Sequence, residues 1–208
     1  MFKNFAKYVA RNFRNPNGIG GKIATIIMNV INKNQYNTVL KNINIKPTDI
    51  VLDIGFGNGY LIKKLFKENI NTKIYGIEIS IDMLNRVTAK SKQKIKNGTL
   101  KLSLENINKT SFEDNLFDKI YTVNTIYFWN ELDKCFSEIK RTLKPNGIFI
   151  NAFYSREHLD KIIFSKYGFN KYTTEEIKII TEKNGLRIIE TIEITKNKSY
   201  CIISENVK

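Results

Sequence analysis

Three prolines, two cysteines, one histidine and one tryptophan are all that these residue types contribute to a chain of 208. Each scarcity narrows the field. Cys135 and Cys201 form no CxxC pair, and with His158 as the single imidazole they give no metal-ligand spacing. A disulfide-dense secreted scaffold and a zinc centre are therefore excluded as readings, and no metal is expected. Two reduced thiols are the expectation; a disulfide would require the fold to bring the pair together. No run reaches the roughly 18 apolar residues of a membrane span. The N-terminal MFKNFAKYVARNF lacks the continuous apolar core of a secretory signal, so a soluble, cytoplasmic protein is expected. Proline and glycine are too sparse to mark a linker, and no repeat or low-complexity block divides the chain. One domain over 1–208 is expected, with a helical cap over 1–45 and a core over 46–208.

Acid is also scarce. Asp and Glu number 20 against 34 Lys and Arg, a net charge of +14. Half of that excess falls in the first 50 residues, where Lys3, Lys7, Arg11, Arg14, Lys22, Lys33, Lys41 and Lys46 face Asp49 alone. Such a segment suits RNA, anionic lipid or an acidic substrate. Lysine, asparagine and isoleucine crowd the whole chain, however, and the lysines are scattered, which reads as general composition. A nucleic-acid partner stays open but is not favoured, and the oligomeric state is undetermined.

What is abundant is a regular alternation of short apolar runs and amphipathic segments. Helices are expected over Phe5–Phe13, Lys22–Ile31 and Tyr36–Asn42, with the Asn15–Gly21 break between the first two. Strand and helix then alternate: strand Ile50–Ile54, helix Tyr60–Lys67, strand Lys73–Ile79, helix Ile81–Ile95 with Ser80 as its N-cap, and strand Thr99–Leu104. They continue with strand Phe117–Asn124, helix Asn130–Leu143, strand Ile148–Phe153, helix Thr173–Asn184, and a hairpin of Leu186–Ile194 with Ser199–Ser204. This is an α/β layout with helices on both faces of the sheet. The βαβ units imply parallel strands and the hairpin implies one antiparallel strand.

The strongest motif is Val51-Leu52-Asp53-Ile54-Gly55-Phe56-Gly57-Asn58-Gly59-Tyr60, where the first strand turns into a helix. Ligands of open α/β sheets bind at the carboxyl ends of strands. The spacing is GxGxG; Tyr60 stands where a dinucleotide fingerprint needs a third glycine, and no Gly-Lys-Ser/Thr of a P-loop follows. Glu78 stands at the carboxyl end of the second expected strand, 19 residues past Gly59. A carboxylate there can accept both hydroxyls of a ribose.

Together these motifs resemble the class I S-adenosylmethionine-dependent methyltransferases from about Ile50 to Phe153, and more loosely to the C-terminus. The resemblance implies a three-layer Rossmann-like methyltransferase fold with a seven-stranded, mostly parallel sheet. It implies S-adenosyl-L-methionine as cofactor and S-adenosyl-L-homocysteine as product. Asp53, Gly55, Gly57 and Gly59 would cradle the methionine part and Glu78 the ribose, with Ile79, Asn106, Ile107 and Asn124 completing the cofactor site. Asn106 stands where the family usually has an Asp for the adenine amino group, so it accepts without charge. Phe112–Asp118 and Leu143-Lys144-Pro145-Asn146-Gly147 are similar to the family's runs around its fourth and fifth strands, with Ser111 in place of a proline and Asn146 in place of a glycine. Val123-Asn124-Thr125-Ile126-Tyr127-Phe128-Trp129 is similar to a methyltransferase-domain type 11/25-like bacterial subgroup, as is, loosely, Arg14-Asn15-Pro16-Asn17-Gly18.

Methyl transfer needs alignment, exclusion of water and, for a protonated acceptor, a base in reach. Base candidates are Tyr127, Tyr154, Glu157 and His158. Tyr127, Phe128 and Trp129 could favour a sulfonium through their ring faces, or simply pack the core. The segment Arg156–Tyr172 and the N-terminal cap, hinged at Gly18, Gly20 and Gly21, could form a lid or a static cover. A small-molecule acceptor leads. RNA methylation, a non-catalytic cofactor-binding or interaction protein, and a nicotinamide dehydrogenase follow in that order, the last disfavoured by Tyr60 and the hairpin.

Overall fold

The apolar runs pair as strands in the computed structural model, which describes residues 2–14, 28–68 and 72–207. The strands are β1 (Ile50–Ile54), β2 (Lys73–Glu78), β3 (Leu100–Leu104), β4 (Phe117–Val123), β5 (Leu143–Tyr154), β6 (Leu186–Thr195) and β7 (Ser199–Asn206). They form one sheet in the order β3-β2-β1-β4-β5-β7-β6. Every neighbouring pair is parallel except those of β7, which runs antiparallel to both β5 and β6. The expected mostly parallel seven-stranded sheet, with one antiparallel strand from the hairpin, is the sheet observed.

Period-two alternation decides what each face covers. Val51, Ile74, Tyr121, Ile150 and Cys201 pack with residues of α2 (Lys33–Asn42), α3 (Tyr60–Lys67) and α4 (Ile81–Lys90). Leu52, Ile120, Phe149 and Ile202 pack with α6 (Leu132–Thr142) and α8 (Thr174–Lys183). The result is three layers. Cys135 lies in one core and Cys201 in the other; both are free, and burial pushes each thiol up to about 12, which makes them inert. Other helical pieces among the described residues include α1 (Phe2–Arg14), α5 (Lys92–Lys96), α7 (Arg156–Leu159) and two 3₁₀ turns, Ile126–Phe128 and Ile163–Lys166.

Several boundaries depart from the sequence reading, three of them for a plain physical reason. The helix expected over Ile81–Ile95 breaks at Ser91 into α4 and α5. Its apolar stripe of Met83 and Val87 would need an apolar residue at 91 to continue, and Ser91 supplies none. The helix expected from Asn130 starts at Leu132, because Glu131 takes a left-handed backbone at φ 55°. The fifth strand begins at Leu143, five residues early: Leu143 already pairs with Phe117, and a bulge between Phe117 and Lys119 absorbs the turn. Ser80 does cap α4, accepting from Met83 N–H, and Thr173 closes a capping box with Glu176 on α8. Most of Lys22–Ile31, the hinge glycines Gly18, Gly20 and Gly21, and residues 15–18 of the Arg14–Gly18 segment lie outside the described residues. Among the described residues, no helix is long and apolar enough to cross a membrane.

The strand order makes β1 the switch point. The chain leaves β1 toward β2 and β3, then returns to pair β4 on the other side. The crossovers diverge there and open a crevice at the carboxyl ends of β1 and β4.

Candidate functional site

Gly55, Gly57 and Gly59 follow β1 with φ of 73°, 51° and 73°, a region where a side chain is strained. Gly55 N–H donates to the Ile77 carbonyl at 2.8 Å, and Gly57 N–H to Glu78 Oε2 at 2.9 Å, so the loop is sewn onto the end of β2. The three glycines differ in use. A Cβ on Gly55 would lie 2.5 Å from Thr125 Cγ2, and one on Gly59 would lie 2.9 Å from Val87 Cγ1. At Gly57 it would meet nothing within 4 Å, so this glycine leaves open space beside the backbone.

That space is part of a cleft whose empty volume, open mouth and solvent included, is about 1050 Å³. Asp53, Gly55, Gly57, Glu78, Ile79, Asn106, Ile107 and Asn124 all line it. Gly59 does not; it caps α3 and makes room for Val87.

Glu78 is buried and accepts three backbone N–H groups: Ile79 and Ser80 on Oε1, at 2.8 and 2.9 Å, and Gly57 on Oε2. Burial raises its pKa, and the three donors pull it back. A carboxylate has about four lone-pair sites. One therefore remains, enough for a single hydroxyl; taking both hydroxyls of a ribose would require Gly57 N–H to let go. Asp53 is 4% exposed and accepts from Tyr121 OH at 2.8 Å. Burial pushes its carboxyl up to about 8; the Tyr121 bond lowers it, and the nearby Glu78 raises it further.

Asn124 follows β4 in a left-handed conformation, φ 58°, tolerable for asparagine. Its orientation is imposed by Tyr127. That hydroxyl accepts from Tyr154 N–H and donates to Asn124 Oδ1 at 2.8 Å. Asn124 Nδ2 is left buried with no hydrogen-bond partner among the described residues, on a residue that lines the cleft. A buried donor of this kind calls for an acceptor. With the open Gly57 backbone and the remaining Glu78 lone pair, it fits a ligand carrying hydroxyls and a carboxylate, as an adenosyl amino acid does.

None of the four base candidates is among the cleft-lining residues. Tyr127 is fully buried and both its hydrogen bonds are committed. Tyr154 OH donates to the Ile31 carbonyl at 3.1 Å and so anchors the cap. The His158 ring lies tilted against that of Tyr154, centroids 5.0 Å apart; burial, Lys198 and Lys161 lower its pKa, which favours the neutral imidazole. Glu157 sits with His158 on α7, away from the lining. Phe128 and Trp129 do line the cleft. Sequence reasoning missed Phe13, Arg14 and Tyr36 from the cap and Glu105 after β3. The first three come from segments whose helical pattern shows one apolar face but not what it covers. Glu105 was visible beside Asn106; it accepts from both the N–H and the hydroxyl of Ser111.

Residues 52–151 match the family described as a methyltransferase domain. The chain is 29% identical over 125 residues to the uncharacterized methyltransferase YdaC of Bacillus subtilis, which covers 60% of this chain and 67% of that protein. It is 27% identical over 187 residues to phosphoethanolamine N-methyltransferase 2 of Caenorhabditis elegans, covering 86% of this chain and 42% of that protein. The chain thus spans two thirds of the first relative and less than half of the second. A SAM dependent methyltransferase from Aquifex aeolicus superposes with a TM-score of 0.68 at 25% identity, over 83% of this chain and 89% of that one.

Proposed function

Given that the chain belongs to the class I S-adenosylmethionine-dependent methyltransferases, we propose that it methylates a small-molecule acceptor held beside the cofactor under the cap. The observation that carries this reading is the lining of the cleft. Of the 25 described residues that line it, three are carboxylic acids and one, Arg14, is a cation. Among the described residues, therefore, the positive charge does not converge on the cleft as a phosphate backbone would require. The aromatic faces of Phe13, Phe56, Phe128 and Trp129 instead suit a partly apolar acceptor.

The cofactor supplies an electrophilic methyl on a sulfonium, which is its own leaving group. The chain's part is to bind, orient and keep water out. In this reading Glu78 takes a ribose hydroxyl on its open lone pair, and Asn124 Nδ2 holds an acceptor atom of the amino-acid end. Asp53, ionised by the approach of a cation, balances its charge. Ile79 and Ile107 cover the adenine, and Asn106 meets its edge. Phe128 and Trp129 wall the methyl side. With Tyr127, Tyr154, Glu157 and His158 all outside the lining, the geometry favours an acceptor that gives up its proton to water, or has none to lose.

Calorimetric titration with S-adenosylmethionine and S-adenosylhomocysteine tests this, with NAD as control. Micromolar binding, about 8 kcal/mol, should fall about a hundredfold in Glu78→Ala, which loses a charged acceptor worth about 1.5–3 kcal/mol, and less in Asp53→Ala. Absence of heat with folded protein would remove the cofactor from this cleft. Steeply salt-dependent binding of single-stranded RNA would replace the small-molecule acceptor with RNA.

A further inference from the structure

We propose that Arg14 is an anion subsite: the acceptor carries a carboxylate or phosphate on an apolar body, and Arg14 grips that group at the mouth of the cleft. The proposal rests on the methyltransferase reading and adds a substrate class to it.

Arg14 is the one cation among the described lining residues, and it is not there to neutralise their acids. Asp53 is bonded by Tyr121, Glu78 by three backbone N–H groups, and Glu105 by Ser111. The ion pairs of the chain run between other residues, and Arg14 has none among the described residues. It is an exposed guanidinium beside a ligand cleft whose other charges are already satisfied.

Its position is held. Arg14 ends α1, and the Phe13 ring beside it stacks on Phe164 at 4.9 Å and 27°. Phe164 meets Phe169 at 6.1 Å, and Phe169 meets Phe128 at 4.7 Å. One ladder of rings therefore runs from the end of α1 to the cleft wall at Phe128. Lys7 over the Tyr167 ring, 5.8 Å from its centroid, fastens α1 to the same segment a second time. The two end rings of the ladder, Phe13 and Phe128, line the cleft, so an acceptor's body meets apolar surface beside the guanidinium. A guanidinium fork matches the two oxygens of a carboxylate or phosphate better than a point charge does.

Octyl phosphate, octanoate and 1-octanol are the probes. Each is titrated into the wild type, Arg14→Gln and Arg14→Lys, with and without saturating S-adenosylhomocysteine. Both anions should bind the wild type about tenfold or more tighter than the alcohol, as a charged hydrogen bond of about 1.5–3 kcal/mol implies. Arg14→Gln should erase that preference and Arg14→Lys restore part of it, with the alcohol's affinity and that of S-adenosylhomocysteine unchanged. If octyl phosphate leads, the group is a phosphate; if octanoate leads, a carboxylate. Equal binding of alcohol and anions, no binding of either anion, or a preference that survives Arg14→Gln overturns the proposal. Failure of S-adenosylhomocysteine to bind counts against the methyltransferase reading instead, since the titrations without it still decide Arg14.

Discussion

The two sides of the cleft are built by different means. On the β1–β2 side the loop is fixed by main-chain hydrogen bonds: Gly55 and Phe56 to the Ile77 carbonyl, and Gly57, Ile79 and Ser80 to the Glu78 carboxylate. On the cap side, segments are held by side chains one at a time. Tyr154 OH reaches Ile31, Asn58 Nδ2 donates to Asn29 Oδ1 at 3.1 Å, Tyr36 lies 4.9 Å from Tyr60, and Phe13 stacks on Phe164. Main-chain anchoring to a central sheet opens only with the fold, whereas isolated side-chain contacts open locally. In the proposed reading, the side that takes the cofactor is thus rigid, and the side that faces the acceptor can be rebuilt by changing a few residues.

The largest test of this contrast is Gly55→Ala. The added Cβ meets Thr125 at 2.5 Å on a backbone at φ 73°, so the change should destabilise by about 2–4 kcal/mol, lowering the thermal midpoint by about 5–10 °C. Binding of S-adenosylhomocysteine should weaken with it. If binding falls and the midpoint does not, the loop is not part of the rigid side.

Asp53→Asn should act in the opposite direction. In the folded chain Asp53 keeps its proton up to about pH 8, against 3.8 for the unfolded carboxyl. Between those values the unfolded state binds fewer protons, so stability falls as pH rises. Asn removes that penalty, and the gain should be small near pH 4 and reach about 1–3 kcal/mol at pH 8. Denaturant midpoints at both pH values measure it. A gain independent of pH would mean that Asp53 is not the titrating group.

Tyr127→Phe tests the seam between the two sides. It frees Tyr154 N–H and lets the Asn124 amide turn, at about 1–2 kcal/mol of stability. S-adenosylhomocysteine binding should weaken a few-fold while the pH profile of turnover keeps its shape. A general base would instead take about 10²–10⁴ from the rate together with one limb of the profile.

The smallest effect belongs to Tyr154→Phe. It loses one hydrogen bond, at less than about 1 kcal/mol. Hydrogen exchange should quicken in 28–36 and leave β1 and β4 unchanged. Quickening in the strands would show that cap and sheet open as one unit.

The same contrast governs what could be read in the sequence. β1 and α3 were legible to the residue, because a fully buried parallel strand is a plain apolar run and the glycines after it announce the turn. Asp53 and Glu78 were legible because a strand end fixes where a side chain stands. The cap residues Phe13 and Arg14 were not, because nothing in an amphipathic pattern says which distant surface it meets. Tyr127 and Tyr154 invited a chemical role by their place after strands. Their hydroxyls turned out to be spent on Asn124 and Ile31, partners set by tertiary packing alone.

The buried Asp53 has a calorimetric signature. An acid that holds its proton near neutrality in a cleft must release it to the buffer when a positively charged ligand moves in beside it. The measured heat of binding should then differ between phosphate and Tris at one pH, by the difference in their ionisation enthalpies times the fraction of a proton released. A neutral thioether in the same place would release less. The cleft would in this way count the charge of its occupant.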